Sequence, residues 1–492
     1  MSTHDHRARE PLKIGAIFMF RGPIAELGID SFDGAEAARD LVNAEGGVHG
    51  RAVEWVRGDG YTPDEAAREA ERMIRQEGVK VILGCYGSNH SIEVSEVCER
   101  LGAVLWVQTA WTADLFAHRP RYTFRTNTFA TPVETCAVDY VLDVLAPRLG
   151  KERSALATAV IHESSAYGIS CAAETVKVLD ARGVPIVLRG AYEGAYDGTG
   201  VDFAAVVGKM KAAKPDVLFA SSFIRDAVGI LRAMRAQRYR PPAIMTSSAG
   251  FGLYTLNAAG AATEGVLSAN APALIHPGAL NDTGRALQRE YVTRLKARTG
   301  REPSGFNAMS FVAAYSLLAN VLTKVENAGD VDEIRSAAVA LDIPLGTYPN
   351  GDGLKLDAGG QNERCPPCIG STYVKPAEMP WRPSQFEGID IKVLYEDAGK
   401  GEMTCLLRWR PGASLPFHRH PEIEQTWVLE GSFYDHEGMA RAGEFVWRKP
   451  DSKHETRSDE GCVILAIYRK PNIFRHSAGF KAARDTRGAG RA

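Results

Sequence analysis

The sequence predicts an α/β domain of two lobes followed by an all-β barrel. Three observations carry this: strand–helix alternation from Leu12 to about residue 358, a change of texture near residue 364, and evenly spaced short apolar runs beyond it. A length of 492 residues allows about three folding units at roughly 150 residues each. Apolar residues make up 45% and charged residues 24%, an ordinary globular composition. The 58 lysines and arginines nearly cancel 60 acidic residues, which removes the main electrostatic case for a nucleic-acid partner. No uncharged apolar run approaches the ~20 residues of a membrane helix, so a soluble chain with no direct membrane insertion is expected.

The runs Ile14–Phe20, Val53–Val56, Val79–Gly84, Val104–Val107, Leu156–Ile161, Val217–Ala220 and Ala243–Thr246 read as strands. Amphipathic segments between them, such as Asp64–Gln76, Ile92–Leu101, Ala172–Ala181 and Phe203–Ala213, read as helices. Alternation of this kind means βαβ units and a mostly parallel sheet. The strands are too many for one comfortable sheet, hence two lobes. A polar start leading into a short run that carries Lys13 does not make a secretory leader. Eight cysteines without regular spacing do not make a disulfide framework. Both favour the cytoplasm, or the periplasm if the start codon is misplaced.

Several segments resemble the branched-chain amino acid and amide receptors of the type I periplasmic-binding-protein family. They are Arg21-Gly-Pro-Ile-Ala-Glu-Leu-Gly28, Asn43-Ala-Glu-Gly-Gly-Val-His-Gly-Arg51, Gly84-Cys-Tyr-Gly-Ser-Asn89, Ser164-Ser-Ala-Tyr-Gly168, Asp197 to Phe203, and Leu354 to Asn362. The resemblance implies a ligand held between the lobes, beyond the carboxyl ends of the strands. By position, Tyr86, Ser88, Asn89, Thr109, Ala110 and Trp111 line the first lobe, and Tyr167, Phe223 and Ser248 the second. Amino-acid binders of this family place a carboxylate where Ser248 stands. An unpaired buried ammonium costs several kcal/mol, so an amide or a hydrophobic or aromatic carboxylic acid is the expected ligand. Asp226, reaching in from its helix, is the alternative source of a carboxylate. No nucleophile elbow, phosphate loop or dinucleotide fingerprint occurs here.

Beyond Arg364-Cys-Pro-Pro-Cys-Ile-Gly370 helical periodicity disappears, and Ile391–Tyr395, Thr404–Trp409, Thr426–Leu429, Glu444–Trp447 and Cys462–Tyr468 read as strands. Gly412, His418, His420, Glu424 and Gly431 fit the cupin pattern Gly-x5-His-x-His-x3-Glu-x6-Gly, so this part resembles a cupin jelly roll. His-x-His on a strand aims both imidazoles the same way. His454, eleven residues after Gly443, is the third imidazole. The family's second motif has a glycine between its proline and this histidine, and none lies between Pro450 and His454. The resemblance implies one divalent ion on His418, His420, Glu424 and His454, with Glu422 as the alternative carboxylate. Zn, Fe(II) and Mn all suit that set. The flanking segments resemble the cupins of anti-sigma factors and of small dioxygenases. Cys365 and Cys368 form one Cys-x-x-Cys without a second pair.

The expected organisation is a receptor domain over residues 11–362, a linker over 363–372, a cupin over 373–474 and a disordered tail over 475–492. The expected function is a small-molecule sensor coupled to a metal-binding cupin. Two alternatives stand beside it: a metal-dependent dioxygenase or isomerase whose substrate the receptor captures, and a transport receptor with a missed leader. A homodimer through either domain completes the partner expectations.

Overall fold

The computed structural model describes residues 10–194, 200–247, 257–364, 374, 376–397 and 401–474. The chain divides into two compact units, Met1–Gly370 and Ser371–Ala492. Most of the expected linker and the whole expected tail lie outside the described residues, as do Cys365 and Cys368.

The first unit has two lobes. In the first lobe, β1 (Leu12–Phe18), β2 (Val53–Asp59), β3 (Val81–Gly84), β4 (Val104–Val107) and β5 (Thr123–Arg125) form a parallel sheet in the order β2-β1-β3-β4-β5. In the second, β6 (Thr158–Glu163), β7 (Ile186–Tyr192), β8 (Val217–Ser221), β9 (Ala243–Ser247) and β10 (Val266–Ala269) are parallel in the order β10-β9-β8-β6-β7. Strands β3 and β4 are buried throughout, because helices cover both faces of a parallel sheet and leave no polar alternation. The helix Pro63–Glu77 opens on a capping box of Thr62 and Glu65 and stops at Gly78, whose φ of 70° is left-handed.

After β10 the chain returns to the first lobe. The helices Asp282–Thr299 and Gly305–Tyr315 pack on the helix Ala25–Ala44. Gly34 permits that contact, since a Cβ there would lie 1.9 Å from the Asn307 carbonyl oxygen. Residues Gly305–Lys324 are long and apolar enough to cross a membrane by composition. Phe311, Leu317 and Leu318 from this stretch are buried in the first-lobe core. The segment Leu354–Asn362 closes against β5: Arg125 N–H donates to the Gly360 carbonyl at 2.8 Å and Asn362 N–H to that of Arg125 at 3.0 Å.

The second unit carries β11 (Arg382–Pro383), β12 (Ile389–Asp397), β13 (Glu402–Trp409), β14 (Ala413–Arg419), β15 (Glu424–Tyr434), β16 (Met439–Arg441), β17 (Phe445–Arg448), β18 (Lys453–Ser458), β19 (Cys462–Tyr468) and β20 (Ile473–Phe474). All pairings are antiparallel. The long strand β15 serves both sides, pairing with β17 and β19 along its first half and with β16 and β18 at its end. The interior is a separate apolar core around Cys405, Val428, Ile464 and Ala466.

Candidate functional site

The first site is the cleft of the two-lobed unit. Helix Ser88–Leu101 starts at the end of β3, with Gly87 as its N-cap and no side chain capping it. The first N–H groups of a helix have no intrahelical partner and favour an anionic or carbonyl oxygen. Ser88 Oγ accepts the Trp111 N–H at 3.3 Å, which keeps its own O–H as a donor. Thr109 Oγ1 donates to the Tyr86 carbonyl at 2.8 Å. These residues share a cavity with Tyr167 and Phe223 of the second lobe. The ring of Tyr167 stands 6.1 Å from Trp111 and 5.3 Å from Phe223, so aromatic faces run from one lobe to the other.

Six of the nine expected cleft residues therefore line one cavity: Tyr86, Ser88, Thr109, Trp111, Tyr167 and Phe223. Asn89 is not among the lining residues; its Oδ1 accepts the Ala166 N–H of the second lobe at 2.9 Å. Ala110 is buried in the first-lobe core beside Val107 and Leu115 and is not among the lining residues. Ser248 lies outside the described residues. Sequence reasoning missed Phe306 and Met309, which complete the lining. Their helix is apolar around its circumference, so no stripe singled them out.

No carboxylate lines the cavity among the described residues. Glu163, at the end of β6, instead caps the next helix: it accepts from Ser165 N–H at 2.7 Å and Gly168 N–H at 2.8 Å. A Cβ at Gly168 would lie 2.4 Å from Glu163, so glycine there lets the helix come close and sets Tyr167 in place. Burial pushes the Glu163 carboxyl up to about 7, against those hydrogen bonds and with help from Asp226. Asp226 is buried and also outside the cavity lining.

The second site lies inside the barrel. His418 on β14 faces His454 on β18 across the ladder, and His420 follows directly, with ring centroids 4.6–5.0 Å apart. His418 Nδ1 meets the Pro416 carbonyl at 2.7 Å and His454 Nδ1 meets Asp435 Oδ2 at 2.7 Å. Both partners are acceptors, so the protons sit on Nδ1 and the lone pairs on Nε2. The Nε2 atoms of all three histidines are buried without a hydrogen-bond partner, and one ligand atom from each lies within 4.8 Å of the others. Burial lowers the His418 imidazolium to about 4 and also lowers His454. Neutral rings are the form that binds metal.

Glu424 opens β15 and lies beside this trio, with Oε2 3.1 Å from His420 Nδ1 and accepting from Asn472 Nδ2 at 2.7 Å. Burial pushes its carboxyl up, but His420, Asn472 and His418 outweigh that and hold it low. Glu422 is exposed on the turn. The missing glycine of the second motif has a substitute: Asp451 takes a left-handed φ of 67°, which aspartate tolerates better than most residues. The turn is pinned to His420 through Asp451 N–H to the His420 carbonyl at 2.7 Å and His420 N–H to the Ser452 carbonyl at 3.0 Å. The three imidazoles form a group that fits a divalent ion, whereas Glu424 meets His420 through Nδ1 and stands outside that group.

A periplasmic binding protein family model matches residues 11–366. The chain belongs to that family. A ChrR cupin-like domain model matches residues 370–471. Among curated proteins, the chain is 32% identical to Leu/Ile/Val-binding protein homolog 7 of Brucella abortus over 73% of this chain and 88% of that one. It is also 32% identical to homolog 8 of Brucella suis, over 74% and 88%. The isoleucine-bound LivJ of Streptococcus pneumoniae superposes with a TM-score of 0.60 at 21% identity, covering 72% of this chain and 93% of that one. A solute-binding protein of Rhodopseudomonas palustris in complex with benzoate gives 0.58 at 19%, over 72% and 91%. At that identity the two structures share the fold.

The cupin residues that sequence reasoning missed are Asp435 and Asn472. Each stands far along the chain from the side chain it holds, and no spacing rule marks either.

Proposed function

We propose that the two-lobed unit is a receptor for an amide or a hydrophobic or aromatic carboxylic acid, coupled to a cupin that holds one divalent ion. The cavity carries this reading: hydrogen-bond donors at Ser88 and the helix N-terminus, an aromatic wall, and no carboxylate among the described lining residues. An α-amino acid would leave its ammonium group in that wall without a countercharge, at a cost of several kcal/mol. Benzoate and isoleucine are both held by proteins of this fold, so the fold itself accepts either class.

His418, His420 and His454 would hold the ion, with Glu424 beside them as the carboxylate. Such an ion supplies Lewis acidity or redox chemistry according to its identity. The chain's own part is to fix the rings: the Pro416 carbonyl and Asp435 orient two of them, and Asn472 anchors Glu424.

A second reading, a metal-dependent dioxygenase or isomerase, rests on an apolar cavity in the barrel lined by Met403, Leu407, Tyr468, Asn472 and Phe474. Phe474 packs 5.1 Å from the His418 ring. Native mass spectrometry of the purified chain, with elemental analysis, tests the first reading. One metal per chain and a co-purifying acid or amide is the expected result; leucine, valine or isoleucine in the cleft overturns the ligand assignment.

A further inference from the structure

The cavity at Ser88 leaves only about 20 Å³ free to the centre of a water molecule, because Trp111, Tyr167 and Phe223 close on it. A second chamber with about 500 Å³ of such space lies in the same unit. Val133 and Cys136 of the helix Ala130–Tyr140, Ile275 of the crossing back to the first lobe, and Leu345 wall it. Met309 belongs to the lining of both chambers. Met309 is the residue the two linings share, and its unbranched side chain can move between rotamers at low cost.

The chemistry of the chamber is one-sided. No lysine, arginine or histidine lines it among the described residues, and Asp352 is its one acid. Burial pushes the Asp352 carboxyl up to about 7, so it sets no strong fixed charge at neutral pH. Space of this size suits an apolar group of several carbons. Thr128, Asn270 and Asn350 are its neutral polar residues, and the rest of the wall is mostly apolar.

We propose that the ligand cavity continues past Met309 into this chamber, so that the ligand is an acid or amide with an apolar tail longer than a leucine side chain. The oxygen end sits at Ser88 and the tail passes Met309 toward Ile275 and Leu345. This inference rests on the receptor reading above and extends it from head group to tail.

Calorimetry on the full chain with butyrate, hexanoate, octanoate and benzoate tests it. Each methylene that enters an apolar chamber tightens binding about fourfold, so octanoate should bind at least about tenfold more tightly than butyrate. Cys136→Trp and Leu345→Trp each fill the chamber from a different side, and either should cancel the gain while butyrate binding persists. Persisting butyrate binding also shows that the variant is folded. Butyrate binding with octanoate no tighter overturns the proposal and leaves the receptor reading intact. A gain that survives both variants overturns it too, because the tail then lies elsewhere. If neither the four acids nor their amides bind, the receptor reading itself fails and takes this inference with it.

Discussion

Asn89 Oδ1 of the first lobe accepts the backbone N–H of Ala166 of the second lobe at 2.9 Å. The two lobes are therefore latched together by a side chain that stands next to the cavity-lining Ser88. Thr112 Oγ1 and Ser170 Oγ, 2.8 Å apart, add a second latch.

Asn89→Ala should weaken ligand binding about fivefold, the worth of one net hydrogen bond of about 1 kcal/mol. The melting temperature of the receptor unit should fall by no more than about a few degrees, the effect of one lost hydrogen bond at a half-buried residue. Calorimetry with benzoate beside thermal denaturation measures both. A loss of a hundredfold or more would mean that Asn89 touches the ligand itself.

Tyr167 is the middle ring between Trp111 and Phe223. Tyr167→Phe should keep affinity for an aromatic acid, while Tyr167→Ala should lose about tenfold or more, since buried ring contacts carry about 0.5–1.5 kcal/mol beyond area. Equal losses in the two variants would move the role from the ring to the hydroxyl.

The two units have separate apolar cores, so the full chain should melt in two transitions. A chelator should lower one of them and leave the other in place, because a metal bound only by the folded state adds stability. His418→Ala with His420→Ala should lower the same transition and remove the metal by elemental analysis. Stoichiometric metal in the double variant would refute the assigned ligands.

Asp352 gives the receptor unit a pH signature. Its folded carboxyl holds a proton to about 7, whereas an unfolded one releases it near 3.9. Between those values the folded state binds more protons, so stability falls as pH rises through the window and is level above it. The loss is on the order of 2–4 kcal/mol. Asp352→Asn should flatten the receptor transition between pH 4 and 7, roughly the titration window; an unchanged slope would assign it to another group such as Glu163.

Much of the fold was legible because burial writes itself into composition. Strands β3 and β4 are fully buried runs and were found within two residues of their bounds. Strand β7 was missed because every second residue from Ile186 is half-exposed and the next exposed, a pattern shared with loops. Strand β5 spans only Thr123–Arg125, too short for any period. The three histidines were legible because the cupin pattern sets them at short, fixed spacings on neighbouring strands. Ser88 and Asn89 show the limit: adjacent helical positions point about 100° apart. Sequence placed both at the cleft; the fold turned one to the cavity and the other to the opposite lobe.

The most direct test of the central claim is calorimetry of the purified full chain with leucine and benzoate in parallel. The cleft presents donors and aromatic faces without a carboxylate among its described residues. Benzoate should bind saturably at one site per chain, and leucine at least about a hundredfold more weakly, the value of an unpaired ammonium group of about 3 kcal/mol. Tight leucine binding with benzoate silent would contradict the account.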